Sequence, residues 1–140
     1  MTASKKVFLA SDVLKAFIDR THERHSQAAA FFRYFAQEEY VLATDTISLY
    51  ETYKDLHDNM SPSIAKDFLR TVYISTIAIY YPDDSDIRAA LKIYLNDKSN
   101  ELTFRKAVMT VIADRRKIPQ IATFEYIHTM FGLSIFYIPI

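Results

Sequence analysis

Ala10-Ser11-Asp12 follow a short apolar run, Val7 to Leu9, and precede a helical pattern carried by Val13, Leu14 and Phe17. In an open α/β sheet ligands sit in the crevice beyond the carboxyl ends of the strands, so a hydroxyl and a carboxylate here stand at the mouth of such a crevice. Asp12 admits two roles. If the chain stays extended, it faces the same side as Ala10 and can offer oxygens to a hard cation. Alternatively, standing just before Val13-Leu14-Lys15, it can cap the helix by accepting a backbone N–H. His22 and His25 have a spacing that binds metal on a helix, but their segment is polar and holds no third nearby ligand, which favours solvated or capping roles. Ser11 has no evident His–acid partner. The single glycine, Gly132, leaves no glycine-rich phosphate loop. Arg105-Lys106 and Arg115-Arg116-Lys117 could meet phosphates, although cations at a helix C-terminus commonly just complement its dipole. Tyr73, Tyr80 and Tyr81 could stack on bases or pack as core or interface rings. Thr123 could hydrogen-bond a neighbouring carboxylate or cap a helix.

Those residues need a scaffold, and the composition supports one. The chain has 140 residues, half of them hydrophobic, with ten Tyr, ten Phe and no Trp. That length suits one domain, residues 1–140, which buries about two thirds of its unfolded surface. Seventeen basic residues balance 17 acidic ones, so no global field draws the chain to nucleic acid or membrane. The lack of cysteine excludes a disulfide framework, a thiolate zinc site and a cysteine nucleophile. With no recognisable signal peptide and no apolar run of membrane-spanning length, a cytoplasmic protein without membrane contact is expected.

The pattern alternates strands with helices. After the first strand and helix, Ala28, Ala29, Phe32, Phe35 and Ala36 recur at helical spacing over Ser26 to Gln37. Tyr40 to Ala43 reads as a second strand, and Thr44 or Asp45 caps a helix that runs to about Asn59. Ser61-Pro62 opens another helix. Val72 to Tyr80, rich in β-branched and aromatic residues, predicts a third strand. Asp83 or Asp84 caps the next helix, which carries the stripe Ile87, Ala90, Leu91, Tyr94 and Leu95. A further helix presents Phe104, Ala107, Val108, Val111 and Ile112 on one face. Gln120 to Ala122 is a fourth strand, Glu125 to Phe131 a short helix stopped by Gly132, and Leu133 to Tyr137 a last strand. The tail Ile135 to Ile140, with Pro139, suits an edge strand or a dimer contact. The expected fold is a three-layer α/β sandwich with a mostly parallel central sheet of four to five strands.

Five segments in this order resemble one family over nearly the whole chain. They are Val7-Phe8-Leu9-Ala10-Ser11-Asp12-Val13-Leu14, Thr21 to His25 leading into the Ala/Phe-rich helix, Leu49-Tyr50-Glu51-Thr52, Leu102 to Ala107, and Thr123-Phe124-Glu125 followed by Gly132. Together they resemble the PIN domain, the small α/β nuclease fold of VapC-type toxins. The resemblance implies four acids converging at the strand ends to hold magnesium or manganese, which orients a water and stabilises charge on a phosphodiester. Here those positions are Ala10, Glu51, Lys106 and Glu125, so two acids are gone and one has become a cation. Lys106 lies roughly opposite the Phe104, Val108, Val111 stripe, yet shares its side with Leu102, Met109 and Ala113. An ammonium so placed wants a carboxylate partner. The expectation is that Lys106 sits between Glu51 and Glu125, doing structurally what a metal does in active relatives; the alternative is that it snorkels to water.

Three readings follow. The first is a PIN-like domain with a degraded metal site (Ala10 and Lys106 in place of acids) and no cofactor, acting as an RNA- or protein-binding or regulatory module. The second is an active magnesium- or manganese-dependent ribonuclease using Asp12, Glu51 and Glu125, with Ser11, Arg105 and Thr123 contacting substrate. The third is an unrelated doubly wound scaffold. The resemblance also implies a homodimer and an antitoxin-type protein partner.

Overall fold

The computed structural model describes residues 4–125 and 133–138. Its elements are β1 (Lys6–Leu9), α1 (Ser11–Ile18), α2 (His25–Gln37), β2 (Val41–Asp45), α3 (Thr46–Asn59), α4 (Pro62–Ile74), β3 (Ala78–Tyr80), α5 (Asp84–Asn96), α6 (Phe104–Arg115), β4 (Gln120–Ala122) and β5 (Ser134–Ile135). The strands form one five-stranded sheet in the order β3-β2-β1-β4-β5, and every pairing is parallel. β5 is an edge strand, but only Ser134–Ile135 of the strand expected over Leu133 to Tyr137 is extended in the sheet. Parallel strands need crossovers, so helices cover both faces and the central strand must be apolar on both sides. In β1, Val7, Phe8 and Leu9 are all fully buried.

Their alternation divides the core in two. Phe8 joins Ile121 from β4 and the α6 residues Val108, Val111 and Ile112 on one face. Val7 and Leu9 face the other way, toward Val13, Phe31, Phe35, Leu49, Leu56 and Phe68 of α1 to α4. Phe35 and Phe136 are close neighbours in this second layer, with ring centroids 4.7 Å apart and planes tilted by 55°. None of the described helices is long and apolar enough to cross a membrane.

Two sequence expectations are corrected by packing. Val72 to Tyr80 is not one strand: α4 continues to Ile74, and only Ala78–Tyr80 is extended. Ala65, Phe68 and Val72 recur at helical spacing and are all buried, so the helical stripe overrides local β preference. Ser75 then ends the helix, its hydroxyl donating to the Val72 carbonyl at 2.7 Å. Second, α6 does not present one apolar face. Met109, Thr110 and Ala113 are buried alongside Ala107, Val108, Val111 and Ile112, whereas Phe104 is partly exposed. The sheet covers one side of α6 and α5 the other, so the middle turns of the helix meet no solvent. Thr110 solves its own burial by donating to the Lys106 carbonyl at 2.8 Å. Of the helix expected over Glu125 to Phe131 only Glu125 is described; the rest, with Gly132 behind it, lies outside the described residues.

α5 begins with a capping box: Asp83 accepts from the Asp86 N–H at 2.8 Å, and Asp86 accepts from the Asp83 N–H at 3.1 Å. The Asp86 carboxylate also meets Arg115 at 2.8 Å, tying α5 to the end of α6. Burial acts to raise the Asp86 pKa, but the Asp83 N–H and the Arg115 guanidinium outweigh it and hold the carboxyl below its usual range. Asp86→Ala is therefore expected to lower stability by about 1–2 kcal/mol in urea unfolding, through loss of the cap and of the Arg115 partner.

Candidate functional site

The site lies at the carboxyl ends of the central strands, where β1 turns directly into α1. Ala10 is the N-cap residue of α1 and has no side-chain cap bond. Its N–H donates to the Ala122 carbonyl, stitching the end of β1 to β4. Asp12 is therefore not the N-cap that the sequence suggested; it sits inside the first turn. Its Oδ2 accepts from the Thr123 hydroxyl and from the Phe124 N–H, both at 2.8 Å. Its Oδ1 accepts from the Val13 N–H at 2.8 Å. One carboxylate oxygen thus caps the turn after β4 while the other stays on the first turn of its own helix, because the sheet brings residue 123 alongside residue 12. Thr123 in turn accepts from the Glu125 N–H at 3.1 Å, fixing where Glu125 leaves the strand.

Glu51 comes from α3 and Glu125 from the segment after β4; Arg105 and Lys106 come from the first turn of α6. The Arg105 guanidinium reaches both acids, with one nitrogen 3.3 Å from Glu51 and the other 3.2 Å from Glu125. The nitrogen facing Glu51 also donates to the buried Ser11 hydroxyl at 3.1 Å. The Lys106 ammonium lies 3.5 Å from Glu125. The cation seen touching both glutamates is thus Arg105, one residue before the lysine expected there. The reason is geometric: a planar guanidinium can fork across two separated carboxylates, whereas an ammonium is a compact point charge. Thr103 caps α6 by accepting from the Lys106 N–H at 3.1 Å, which sets the helix phase that aims residue 105 into the crevice. Ser11, Arg105 and Thr123, expected as substrate contacts, are all engaged by neighbouring side chains of the chain itself.

The remaining candidates stand outside this cluster. His22 accepts from the Arg24 N–H at 3.0 Å, and the His25 ring lies 2.9 Å from the Ala16 carbonyl, so both tie down the α1–α2 connection. Arg115 is spent on Asp86 and Ser85, and Arg116 lies 5.1 Å over the Tyr80 ring. Tyr73, on α4, and Tyr81 are exposed. Among the described residues, no group of three or more His, Asp or Glu side chains is arranged to hold a metal ion.

One acid that sequence reading treated only as a cap also borders the site. Asp45 ends β2, is buried, and accepts from the Ser48 N–H at 2.6 Å. Burial is the main cause that raises its pKa, with a smaller push from Glu51, against the lowering effect of the Ser48 hydrogen bonds. An acid whose folded pKa exceeds its unfolded one binds more protons when folded. Its contribution to stability then falls as pH rises from the unfolded to the folded value. Asp45→Asn, which keeps an acceptor for Ser48, is expected to raise the melting temperature at neutral pH, with the gain vanishing in acid.

No family model and no curated protein matches the sequence. Solved structures do. VapC20 of Mycobacterium tuberculosis, a sarcin-ricin loop cleaving toxin, is similar with a TM-score of 0.75 at 18% identity, over 85% of this chain and 89% of its own. The chain has the PIN-domain fold of VapC toxins. VapBC2 of Rickettsia felis, solved bound to a DNA fragment from its promoter, gives 0.64 at 12% identity, over 86% of this chain and 87% of that one. At these identities the likeness is one of fold. In this PIN fold, Glu51 and Glu125 converge on one guanidinium and Lys106 approaches the same Glu125, while Ala10 marks the end of β1 beside them.

Proposed function

We propose that this PIN-fold chain binds single-stranded RNA without cutting it, as a module whose metal site has been replaced by its own cations. The observation that carries this reading is the Arg105 guanidinium lying within ion-pair distance of both Glu51 and Glu125. A magnesium or manganese ion needs carboxylate oxygens turned toward a common point. Here the two glutamates are turned toward a guanidinium, and Lys106 adds a second positive charge at Glu125. The Asp12 oxygens accept from Thr123, Phe124 and Val13, so the acid that would rescue the cluster holds the backbone instead. The donor set does not fit a divalent cation, and no catalytic step is derived through one. A target of RNA is supported by the likeness to VapC20, a sarcin-ricin loop cleaving toxin. A homodimer and an antitoxin-type protein partner, both implied by the resemblance of the sequence, accompany this reading.

The test is a labelled single-stranded RNA incubated with the protein in magnesium or manganese. RNA that is bound and stays intact is the expected result. Metal-dependent turnover that disappears in Glu51→Gln would select the active ribonuclease instead, and absence of binding would remove the RNA target.

A further inference from the structure

Beside the cation-filled cluster is a cavity of about 300 Å³ that shares Thr123 and Glu125 with it. This volume is at the small end of ligand pockets, suited to one ring system rather than a large molecule. Its apolar walls are Phe31, Phe124, Ile135, Phe136 and Tyr137, of which Phe31 and Phe136 are buried. Phe31 braces the others, stacked on Phe124 at 5.6 Å and edge-on to Phe136 at 5.4 Å. The Tyr137 side chain stands largely in solvent. Arg24, Gln27, Thr123 and Glu125 complete the lining, and the Arg24 guanidinium lies 5.2 Å over the Phe124 ring.

We infer that this cavity receives one unpaired RNA base, stacked on the exposed Tyr137 ring and read at its edge by Gln27, Arg24 and Glu125. The inference rests on the RNA-binding reading above and deepens it. A base has two faces that stack on aromatic or guanidinium planes and an edge that mixes donors and acceptors. The lining matches both: the exposed Tyr137 ring for a face, then an amide, a cation and a carboxylate for the edge. The side chain of a phenylalanine or leucine from a protein partner would use the ring alone and make no use of those polar groups, which in the free chain are paired, Arg24 with Gln27 at 3.4 Å and Glu125 with Arg105 at 3.2 Å. The adjacent cluster shapes the energetics. Arg105 and Lys106 are balanced by Glu51 and Glu125, so it offers little net attraction to phosphate. Binding driven by stacking rather than counterion release has a shallow dependence on salt.

The experiment uses a short single-stranded RNA with an end label and one internal fluorescent adenine isostere. Anisotropy of the label reports binding, and quenching of the isostere reports stacking. Tyr137→Ala and Gln27→Ala alter exposed side chains, and thermal melting checks that each variant stays folded. The expected result is quenching on binding, about a tenfold loss of affinity in Tyr137→Ala, which removes one stacking partner, a loss also in Gln27→Ala, and no change in Tyr73→Ala on α4. RNA that binds without quenching, and equally well to both cavity variants, would overturn the cavity assignment while leaving RNA binding intact. Label anisotropy that never rises would overturn both. Loss of a tryptophan-bearing peptide from Tyr137→Ala, with no RNA bound by the wild type, would reassign the cavity to a protein partner and overturn the inference.

Discussion

Aspartates introduced at positions 10 and 106, in a chain that also carries Arg105→Ala, are expected to create a manganese site roughly a hundredfold tighter than any the wild type shows by calorimetry. In the wild type, Arg105 and Lys106 offset Glu51 and Glu125 charge for charge. The triple variant turns the same crevice into four carboxylates with no cation among them. At an effective dielectric constant of 20, one unit charge 4 Å from another contributes about 4 kcal/mol. These side chains are partly exposed, so screening cuts that sharply; about 3 kcal/mol of net gain corresponds to the hundredfold figure. Manganese should also raise the melting temperature of the triple variant and not that of the wild type, since it binds only the folded state. Restoring Lys106→Asp alone should achieve little while the guanidinium remains between the glutamates. Equal manganese affinity in wild type and triple variant would show that Arg105 swings aside at little cost, and the proposed loss of the metal site would fall.

Asp12→Ala is expected to destabilise the fold by about 2–4 kcal/mol. The carboxylate accepts from three donors, the Val13 and Phe124 N–H groups and the Thr123 hydroxyl, in a partly buried setting. Losing it strands those donors and frees the turn that delivers both Phe124 and Glu125. Asp12→Asn, which keeps one acceptor oxygen, should cost less. The comparison separates two roles for this residue. If Asp12 were held for metal binding, removing its charge would relieve repulsion from the neighbouring acids, and the alanine variant would match or exceed the wild type in urea unfolding.

Much of the fold was legible because its rules are local. The run Val7-Phe8-Leu9 had to be a central strand, since only a strand covered on both faces tolerates apolar side chains on both. Asp45 and Ser61 sit where an N-cap is needed, and both accept the expected backbone N–H. Where the reading failed, tertiary contacts outweighed local preference. Val72 has a strand-forming side chain, but it completes a helical stripe with Ala65 and Phe68. The residues of α6 look amphipathic only until α5 is laid on their outer side.

For the site, the sequence by itself determined which charges could be present: two of the four expected acids, an alanine at the end of the first strand, and adjacent cations at one helix start. Only the tertiary structure decided which cation reaches which acid. Residues 105 and 106 differ by about 100° around the helix, a phase fixed by the Thr103 cap and by burial of α6. The role of Asp12 was likewise decided across the sheet, because its hydrogen-bond partners lie 111 and 112 residues away along the chain. Periodicity records what a residue does to its own helix; it carries no information about a partner that parallel pairing of β1 with β4 brings alongside.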